Sequence, residues 1–320
     1  MFKDKKVLVT GGTGMIGREL VSLLQERGAE VYICSLDQPK DIPEGVKFVF
    51  KDLCYFSNCL EVCEGMDFVF NCVGIKGSPK MCLEQPADFF VPMVQFNTNM
   101  MEAAFRANVQ WYLYTSSVGV YHPAEVFKED DVWETMPSKN DWFAGWAKRM
   151  GELQAKAYSI QHGWDRVSIV RPANVYGAYD NFNPANAMVI PALIRKAFEN
   201  DRLSVWGDGS SIRDFIHARD VALGMIHMVE NGVTEPVNLG SGDGIQIKRI
   251  AEAIADYFGK AIDWDVDKPT GDARRIFDMT RAKSYGFEPT VSIEDGVNET
   301  IEWFLKNREE IDKRFNAFNK

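Results

Sequence analysis

Residues 6–34, "KVLVTGGTGMIGRELVSLLQERGAEVYIC", decide the fold. The stretch opens with a short β-branched apolar run, passes through a glycine cluster, and continues with apolar residues at helical spacing as far as Gly28. A second apolar run, "EVYIC", follows directly. A strand, a glycine loop, a helix and a strand in this order predict the first βαβ unit of a parallel sheet.

The same alternation continues along the first half of the chain. Apolar runs predict strands at residues 46–50, 67–74, 111–117 and 166–172, and helical patterns separate them at residues 57–63, 96–107 and 143–161. These runs are apolar at nearly every position, which is typical of strands that helices cover on both faces. The sequence therefore predicts an α/β protein with a doubly wound parallel sheet of the Rossmann type.

The glycine cluster indicates a dinucleotide site. Its G-x-x-G-x-x-G spacing, directly after a strand and at the start of a helix, lets the backbone approach a pyrophosphate. The first turn of the helix then offers free N–H groups and a partial positive charge. Candidate cofactor-binding residues in this loop are Gly11, Thr13, Gly14, Met15, Ile16 and Gly17.

The end of the second strand, "YICSLDQPK", bears on the choice of cofactor. Ser35 stands where an NAD-selective site has a carboxylate for the adenine ribose, and Asp37 comes two residues later. Ser35 would not repel a 2′-phosphate, and Lys40 would help to neutralise one. The pattern favours NADP over NAD and leaves both open. Asp52 is expected either near the adenine edge or as a helix cap.

The second half of the chain has a different rhythm. A long Asn- and Pro-rich loop leads into a helix, and amphipathic helices are predicted at residues 247–258 and 293–305. We predict an NAD(P)-binding domain over residues 1–172, with returning segments near residues 214–240. Residues 173–320 are predicted to form a smaller C-terminal α/β lobe that binds the substrate.

The composition argues against several classes of partner. The 320 residues carry a net charge of −10, so nucleic acid and anionic membranes are not expected to bind. The chain runs straight into a strand without a signal-peptide pattern, and we expect a cytoplasmic protein. All six cysteines lie in the first third of the chain, where we expect reduced thiols and no metal site.

Seven motifs together carry a family resemblance. They are "GGTGMIG", "NCVG", "YTSSVGVY", "GWAK", "RPANVYG", "RDFIHARDVA" and "NLGSG". With them the chain resembles the extended short-chain dehydrogenases/reductases, which include nucleotide-sugar epimerases, dehydratases and reductases. The resemblance implies a homodimer formed through the helices at residues 96–107 and 143–161. It also adds Asp52, Leu53, Val73, Lys148 and Pro172 to the cofactor-binding residues.

The catalytic residues of that family are a Ser or Thr, a Tyr and a Lys. The resemblance assigns the serine to Ser117 and the lysine to Lys148, but the tyrosine position holds Ala144. Positions 144 and 148 share one helix face, so no shift of register repairs this. Ala144 is either an engineered substitution that stops turnover or the natural residue of an impaired or repurposed protein. Tyr121 and Tyr176 are candidates for a substitute acid.

Within that family the chain most resembles the GDP-fucose synthases, in the segment "DNFNPANAMVIPALIRK". Their epimerisation uses a cysteine and a histidine where this chain has Gly119 and Met188, and the dehydratases use an acidic pair where Val118 and Gly119 stand. The resemblance therefore implies 4-keto reduction or 4-epimerisation of a nucleotide-diphosphate sugar, with GDP as the expected nucleotide. The alternative is a naturally silent protein that binds nucleotides or sugar nucleotides.

The resemblance also assigns the substrate contacts. Asn174, Arg213 and Arg275 are expected at the diphosphate, and either arginine could instead form a structural ion pair. Trp206 is expected to stack on the base or to pack in a core. The full set of substrate-binding candidates is Ser117, Asn174, Val189, Lys196, Trp206, Arg213 and Arg275.

Overall fold

The computed structural model describes residues 1–37, 42–75, 84–268, 273–309 and 311. The strands in this part of the chain are β1 Lys6–Thr10, β2 Glu30–Ser35, β3 Lys47–Phe50, β4 Phe68–Asn71, β5 Trp111–Thr115, β6 Val126–Phe127, β7 Val167–Pro172, β8 Asn174–Tyr176, β9 Arg202–Trp206, β10 Ile212–His217, β11 Pro236–Leu239, β12 Gly244–Gln246, β13 Ala261–Asp265 and β14 Arg274–Phe277.

Nine α-helices occur among the described residues. They are α1 Met15–Glu26, α2 Phe56–Cys63, α3 Pro86–Arg106, α4 Trp142–His162, α5 Val189–Glu199, α6 Ala218–Glu230, α7 Ile247–Phe258, α8 Thr280–Ser284 and α9 Ile293–Asn307. Short 3-10 helices lie at Val118–Val120, Glu129–Trp133 and Lys139–Asp141.

A seven-stranded parallel sheet forms the centre of the fold. Its order is β11-β7-β5-β4-β1-β2-β3, and every neighbouring pair is parallel. The chain first builds outwards from β1 to β3 and then returns to β4 on the other side of β1. This reversal opens a crevice at the carboxyl ends of β1 and β4, where doubly wound sheets bind their ligands. The predicted fold class is confirmed.

The described residues form two smaller sheets, built mainly from the second half of the chain. The first has the order β12-β10-β14-β6, with β8 paired to β10, and the second is the parallel pair β13-β9. An apolar core made only of residues between Tyr176 and Phe304 fills this half. β11 nevertheless returns to the central sheet beside β7. The domain division at residue 172 stays a prediction.

Helix α3 is longer than the sequence pattern indicates. It begins at Pro86 instead of near residue 96, and it carries Pro92 in its interior. A proline there removes one backbone hydrogen bond and hides the start of the helix from a pattern search. Met100 and Met101, which lie on this helix, are both fully buried in the core.

A buried ion pair joins the central sheet to α4. Arg171 on β7 donates from Nε and Nη2 to the two carboxylate oxygens of Glu152, at 3.0 and 2.7 Å. Ser116, which follows β5, donates to the same carboxylate at 2.5 Å. Neither charged side chain is more than 2% exposed. The pair therefore fixes α4 across the ends of β5 and β7.

Candidate active site

The glycine loop between β1 and α1, residues 11–14 and called the phosphate loop below, has features that suit a pyrophosphate. Gly11 adopts φ +65°, which favours glycine, and its N–H donates to the carbonyl of Cys34 at 2.8 Å. A Cβ on Gly17 would stand 2.3 Å from the carbonyl oxygen of Gly11, so only glycine lets α1 approach the loop this closely. No side chain caps α1 at Gly14, which leaves the first N–H groups of the helix available to an anion.

The remaining loop candidates lie where the sequence placed them. Met15 and Ile16 begin α1 and are half-buried. The hydroxyl of Thr13 lies 2.8 Å from that of Ser35, which also accepts the N–H of Asp37 at 3.1 Å. The phosphate loop and the end of β2 are thus joined directly. Lys40 lies outside the described residues.

Asp52 shapes the turn before α2. Its carboxylate accepts the N–H of Cys54 at 2.9 Å, and its carbonyl accepts the Asn58 amide at 2.8 Å. The helix itself begins after Tyr55, so Asp52 is not its N-cap residue. Leu53 is buried beside it. A contact of Asp52 with adenine stays a prediction.

Polar side chains tie the carboxyl ends of β1 and β4 together. The Thr10 hydroxyl donates to Asn71 at 2.7 Å and accepts the N–H of Val73 at 3.2 Å. A Cβ on Gly11 would lie 3.1 Å from the Val73 backbone. Val73 therefore lies directly across the crevice from the phosphate loop.

Lys148 is buried at the carboxyl end of β5. Its ammonium donates to the carbonyl oxygen of Thr115 at 2.7 Å, and Nζ lies 5.4 Å from the centre of the Tyr114 ring. Burial disfavours the charged form and lowers the pKa of Lys148 to about 8. Pro172 ends the neighbouring strand β7, in register with Leu239.

Two glycines let α4 pack against the loop that carries Ser117. A Cβ on Gly145 would stand 2.3 Å from the Gly119 carbonyl oxygen, and one on Gly151 would stand 2.3 Å from the Tyr114 ring. The Ser117 hydroxyl accepts the N–H of Gly119 at 3.1 Å and begins the short 3-10 helix there. Ser117 and Lys148 thus flank the carboxyl end of β5.

Ala144 is half-buried one turn before Lys148, and its side chain packs on the apolar cluster between the sheet, α3 and α4. Neither substitute tyrosine is placed for proton transfer. The Tyr121 hydroxyl donates to Asn238 at 2.5 Å and accepts from Arg171 at 3.0 Å. The Tyr176 hydroxyl donates to the Ser292 carbonyl at 3.4 Å. Burial raises the pKa of both phenols.

The residues that we expect to bind the diphosphate lie on one face of the sheet that β10 forms with β8 and β14. Arg213 on β10 is in register with Arg275 on β14. Asn174 on β8 is in register with Phe215, two residues beyond Arg213, and therefore lies on the same face. Its amide also donates to the carbonyl of Asp214 at 2.8 Å. Two guanidinium groups and one amide on a common face can bind a diphosphate.

Asp214 anchors that sheet from its other face. Its buried carboxylate accepts N–H groups of Ser241, Gly242 and Phe277 at 2.7, 3.0 and 3.1 Å. Burial raises the pKa of Asp214, and these hydrogen bonds oppose the rise. The carboxylate thus fixes the "NLGSG" segment and β14 relative to Arg213.

A second group of expected substrate-binding residues consists of Trp206, Lys196 and Val189. The Trp206 side chain ends β9 and the residue is 56% exposed, so the alternative of core packing is wrong. The ammonium groups of Lys196 and Lys268 lie 5.6 and 5.9 Å from its ring centre. Val189 begins α5, the helix that carries Lys196. An exposed indole beside two ammonium groups suits a base and its phosphates.

Asp141 is the residue that the sequence analysis missed. It directly precedes α4, and its carboxylate accepts a hydrogen bond of 3.0 Å from Nη1 of Arg275. Its position three residues before Ala144, on the same helix face, was the available signal. Arg275 therefore does form an ion pair, which was the alternative to a contact with the diphosphate.

The comparison with known proteins decides the family. The model described as "NAD dependent epimerase/dehydratase family" matches residues 7–240. The chain belongs to this family. GDP-L-fucose synthase 1 of Arabidopsis thaliana is 31% identical over 316 residues, which cover 95% of this chain and 94% of the relative.

Solved structures agree with this epimerase/dehydratase fold. A UDP-N-acetylglucosamine 4-epimerase from Methanobrevibacter ruminantium M1, in complex with UDP-N-acetylmuramic acid, superposes with a TM-score of 0.85 at 25% identity and covers 96% of this chain and 100% of its own. A GDP-L-fucose synthetase from Naegleria fowleri bound to NADP reaches 0.83 at 22% identity, over 97% and 95% of the two chains.

The sequence analysis expected no binding to membranes and no metal site, and the described residues bear on both expectations. None of the described helices is long and apolar enough to span a bilayer. The described residues also contain no group of three or more His, Cys, Asp or Glu side chains that is suited to a metal. Cys34, Cys54, Cys59, Cys63 and Cys72 are free thiols, and burial raises the pKa of each. Cys82 lies outside the described residues.

The pKa of Lys148 predicts a pH dependence of cofactor binding. Since it lies near 8, about a tenth of the lysine is protonated at pH 9. If the ammonium holds the nicotinamide ribose, the dissociation constant for NADH or NADPH should increase about tenfold from pH 7 to pH 9. Fluorescence titration measures this. Lys148→Met should bind weakly at both pH values, and an unchanged wild-type constant would contradict the prediction.

Proposed function

We propose that the chain is an NAD(P)-dependent oxidoreductase of a nucleotide-diphosphate sugar, with a GDP-sugar as the expected substrate. The observation that carries the proposal is the buried Lys148 ammonium, held on the Thr115 carbonyl beside Ser117. The common sheet face of Asn174, Arg213 and Arg275 supports it. The Arabidopsis relative is named a GDP-L-fucose synthase, which supports the choice of GDP.

The cofactor would bind along the crevice of the central sheet. The close packing of α1 on the glycine loop, which Gly11 and Gly17 permit, and the uncapped start of α1 suit a pyrophosphate. When bound, the nicotinamide gives or takes a hydride. Lys148 would hold the nicotinamide ribose, and Ser117 would orient the reacting oxygen of the sugar. Ser35 beside Thr13 supports NADP, while NAD stays open.

The reaction that we propose is hydride transfer at one carbon, either 4-keto reduction or 4-epimerisation. Gly119 and Met188 stand at the positions of the cysteine and histidine that the resemblance requires for 3,5-epimerisation. Neither side chain exchanges a proton in water. Val118 and Gly119 likewise lack the acidic groups of the dehydratases.

A silent binding protein is the second candidate, because Ala144 cannot transfer a proton. This candidate keeps the phosphate loop and the diphosphate face but expects no turnover. It also accounts for Tyr121 and Tyr176 being held in structural hydrogen bonds.

Ala144→Tyr separates the two candidates. A phenol in this position next to Lys148 would supply the proton, so we expect Ala144→Tyr to transfer hydride to a GDP-linked 4-keto sugar about 10²- to 10⁴-fold faster than Ala144→Phe. The decrease of NADPH absorbance at 340 nm measures the rate. Ala144→Phe is the matched control, because it adds the ring without the hydroxyl, and it should not accelerate the reaction. If the tyrosine variant binds both ligands and stays inert, the proposed function fails.

We also propose a homodimer formed through α3 and α4. Phe105, Arg106, Tyr158 and Gln161 line a groove between the outer faces of these helices. Ile160 is 76% exposed next to it. An isoleucine this exposed on a long helix fits a surface that a second copy covers.

Ile160→Asp should convert the dimer into a folded monomer, because a carboxylate would be buried without a partner. Light scattering coupled to size-exclusion chromatography measures the mass. Val266→Asp is the control, because Val266 is 67% exposed in the other half of the chain. A wild-type monomer, or equal loss of mass in both variants, would contradict the proposed interface.

A further inference from the structure

The side chain of Asp141 lies near Ser117 and does not cap α4, the helix that it precedes. It stands at the N-cap of α4, where an aspartate commonly accepts helical N–H groups, yet it makes no capping hydrogen bond. Instead Oδ2 accepts the N–H of Arg275 at 3.0 Å. Among the described residues Oδ1 has no hydrogen-bond donor. Within the described part of the chain, the carboxylate is therefore held by Arg275 alone.

Asp141 and Ser117 face the same side of Gly119, next to the backbone N of Gly145. The point where a Cβ of Gly119 would stand is 3.5 Å from the Asp141 Cβ and 3.6 Å from the Ser117 hydroxyl. Since Gly119 has no side chain, nothing of its own fills the space between these two groups. The side chains of Asp141 and Ser117 are therefore neighbours across Gly119, on the side of the site where the sugar is expected.

Helix geometry places Asp141 where a tyrosine at position 144 would point. Asp141 is the residue before α4 and stands three positions ahead of Ala144, while Ala144 and Lys148 lie four positions apart on one face of the helix. A long helical side chain leans towards the N-terminus and covers the turn before its own Cα. A tyrosine at 144 would thus cover the turn of Asp141. With alanine there, that turn stays open to the carboxylate.

Arg275 links this carboxylate to the expected diphosphate. Its guanidinium has five N–H donors in a rigid fork, so it can hold Asp141 and a phosphate oxygen at once. Side-chain exposures of 16% for Arg275 and 25% for Asp141 make this a partly desolvated pair. Binding of the diphosphate would therefore fix the carboxylate next to the sugar.

We propose that Asp141 is the proton-transfer residue of this chain, in place of the missing tyrosine; this rests on the proposed function. In the oxidising direction the Asp141 carboxylate takes the proton of the sugar hydroxyl as hydride leaves that carbon for the oxidised nicotinamide. In the reducing direction the hydride moves from the reduced nicotinamide to the carbonyl carbon, and the Asp141 carboxylic acid gives its proton to the oxygen. Atoms and charges balance in both directions.

A double-mutant cycle tests the proposal. Asp141→Asn should reduce kcat with NADPH and a GDP-linked 4-keto sugar about 10²- to 10⁴-fold in the Ala144 protein. In the Ala144→Tyr background the same change should alter kcat by no more than about twofold, because the phenol then carries the proton. Asp130→Asn is the matched control, because Asp130 pairs with Arg281 at 2.7 Å and should not affect kcat.

Each other outcome has a definite meaning. The proposal is overturned if the kcat of Asp141→Asn equals or exceeds that of the wild-type protein. Equal losses in both backgrounds overturn it as well, because Asp141 would then act only by positioning Arg275. If Ala144→Tyr is itself inert with both ligands bound, the proposed function fails first.

Discussion

The buried pair of Arg171 and Glu152 is the interaction on which the candidate site depends. It fixes α4, which carries Ala144 and Lys148 and directly follows Asp141, against the carboxyl ends of β5 and β7. Removing one partner of such a pair leaves an uncompensated buried charge, which costs about 3–5 kcal/mol. The pair can form only because the glycines on the inner face of α4 let the helix approach the sheet. Position 144 thus lies in a rigid frame although its side chain is small.

The local elements of the fold could be predicted from the sequence, and the long-range pairings could not. β1 and α7 begin and end where the apolar spacing places them. The start of α3 was missed because Pro92 interrupts a pattern that tertiary packing nevertheless completes. β6, β8 and β14 have two to four residues each, too few for a period, and distant partners define them.

The candidate site divides in the same way. The place of the glycine loop between β1 and α1 could be predicted from the spacing within one strand–loop–helix unit, and the family resemblance pointed to Lys148. The contact between Asp141 and Arg275 joins residues 134 positions apart, and no local pattern indicates it. The exposure of Trp206 likewise depends on how β9 and β13 pair at the edge of their sheet. Chemistry that combines the two halves of the chain is therefore visible only in the folded protein.

The central claim is that this chain moves a hydride between a nicotinamide and a nucleotide sugar. The most direct test is to incubate the protein with NADPH that carries deuterium at the transferable position and with a GDP-linked 4-keto sugar. Mass spectrometry of the sugar nucleotide then gives the answer. Our account predicts one deuterium in the product, on the carbon that carried the carbonyl. A sugar recovered without deuterium, although both ligands bind, would contradict it.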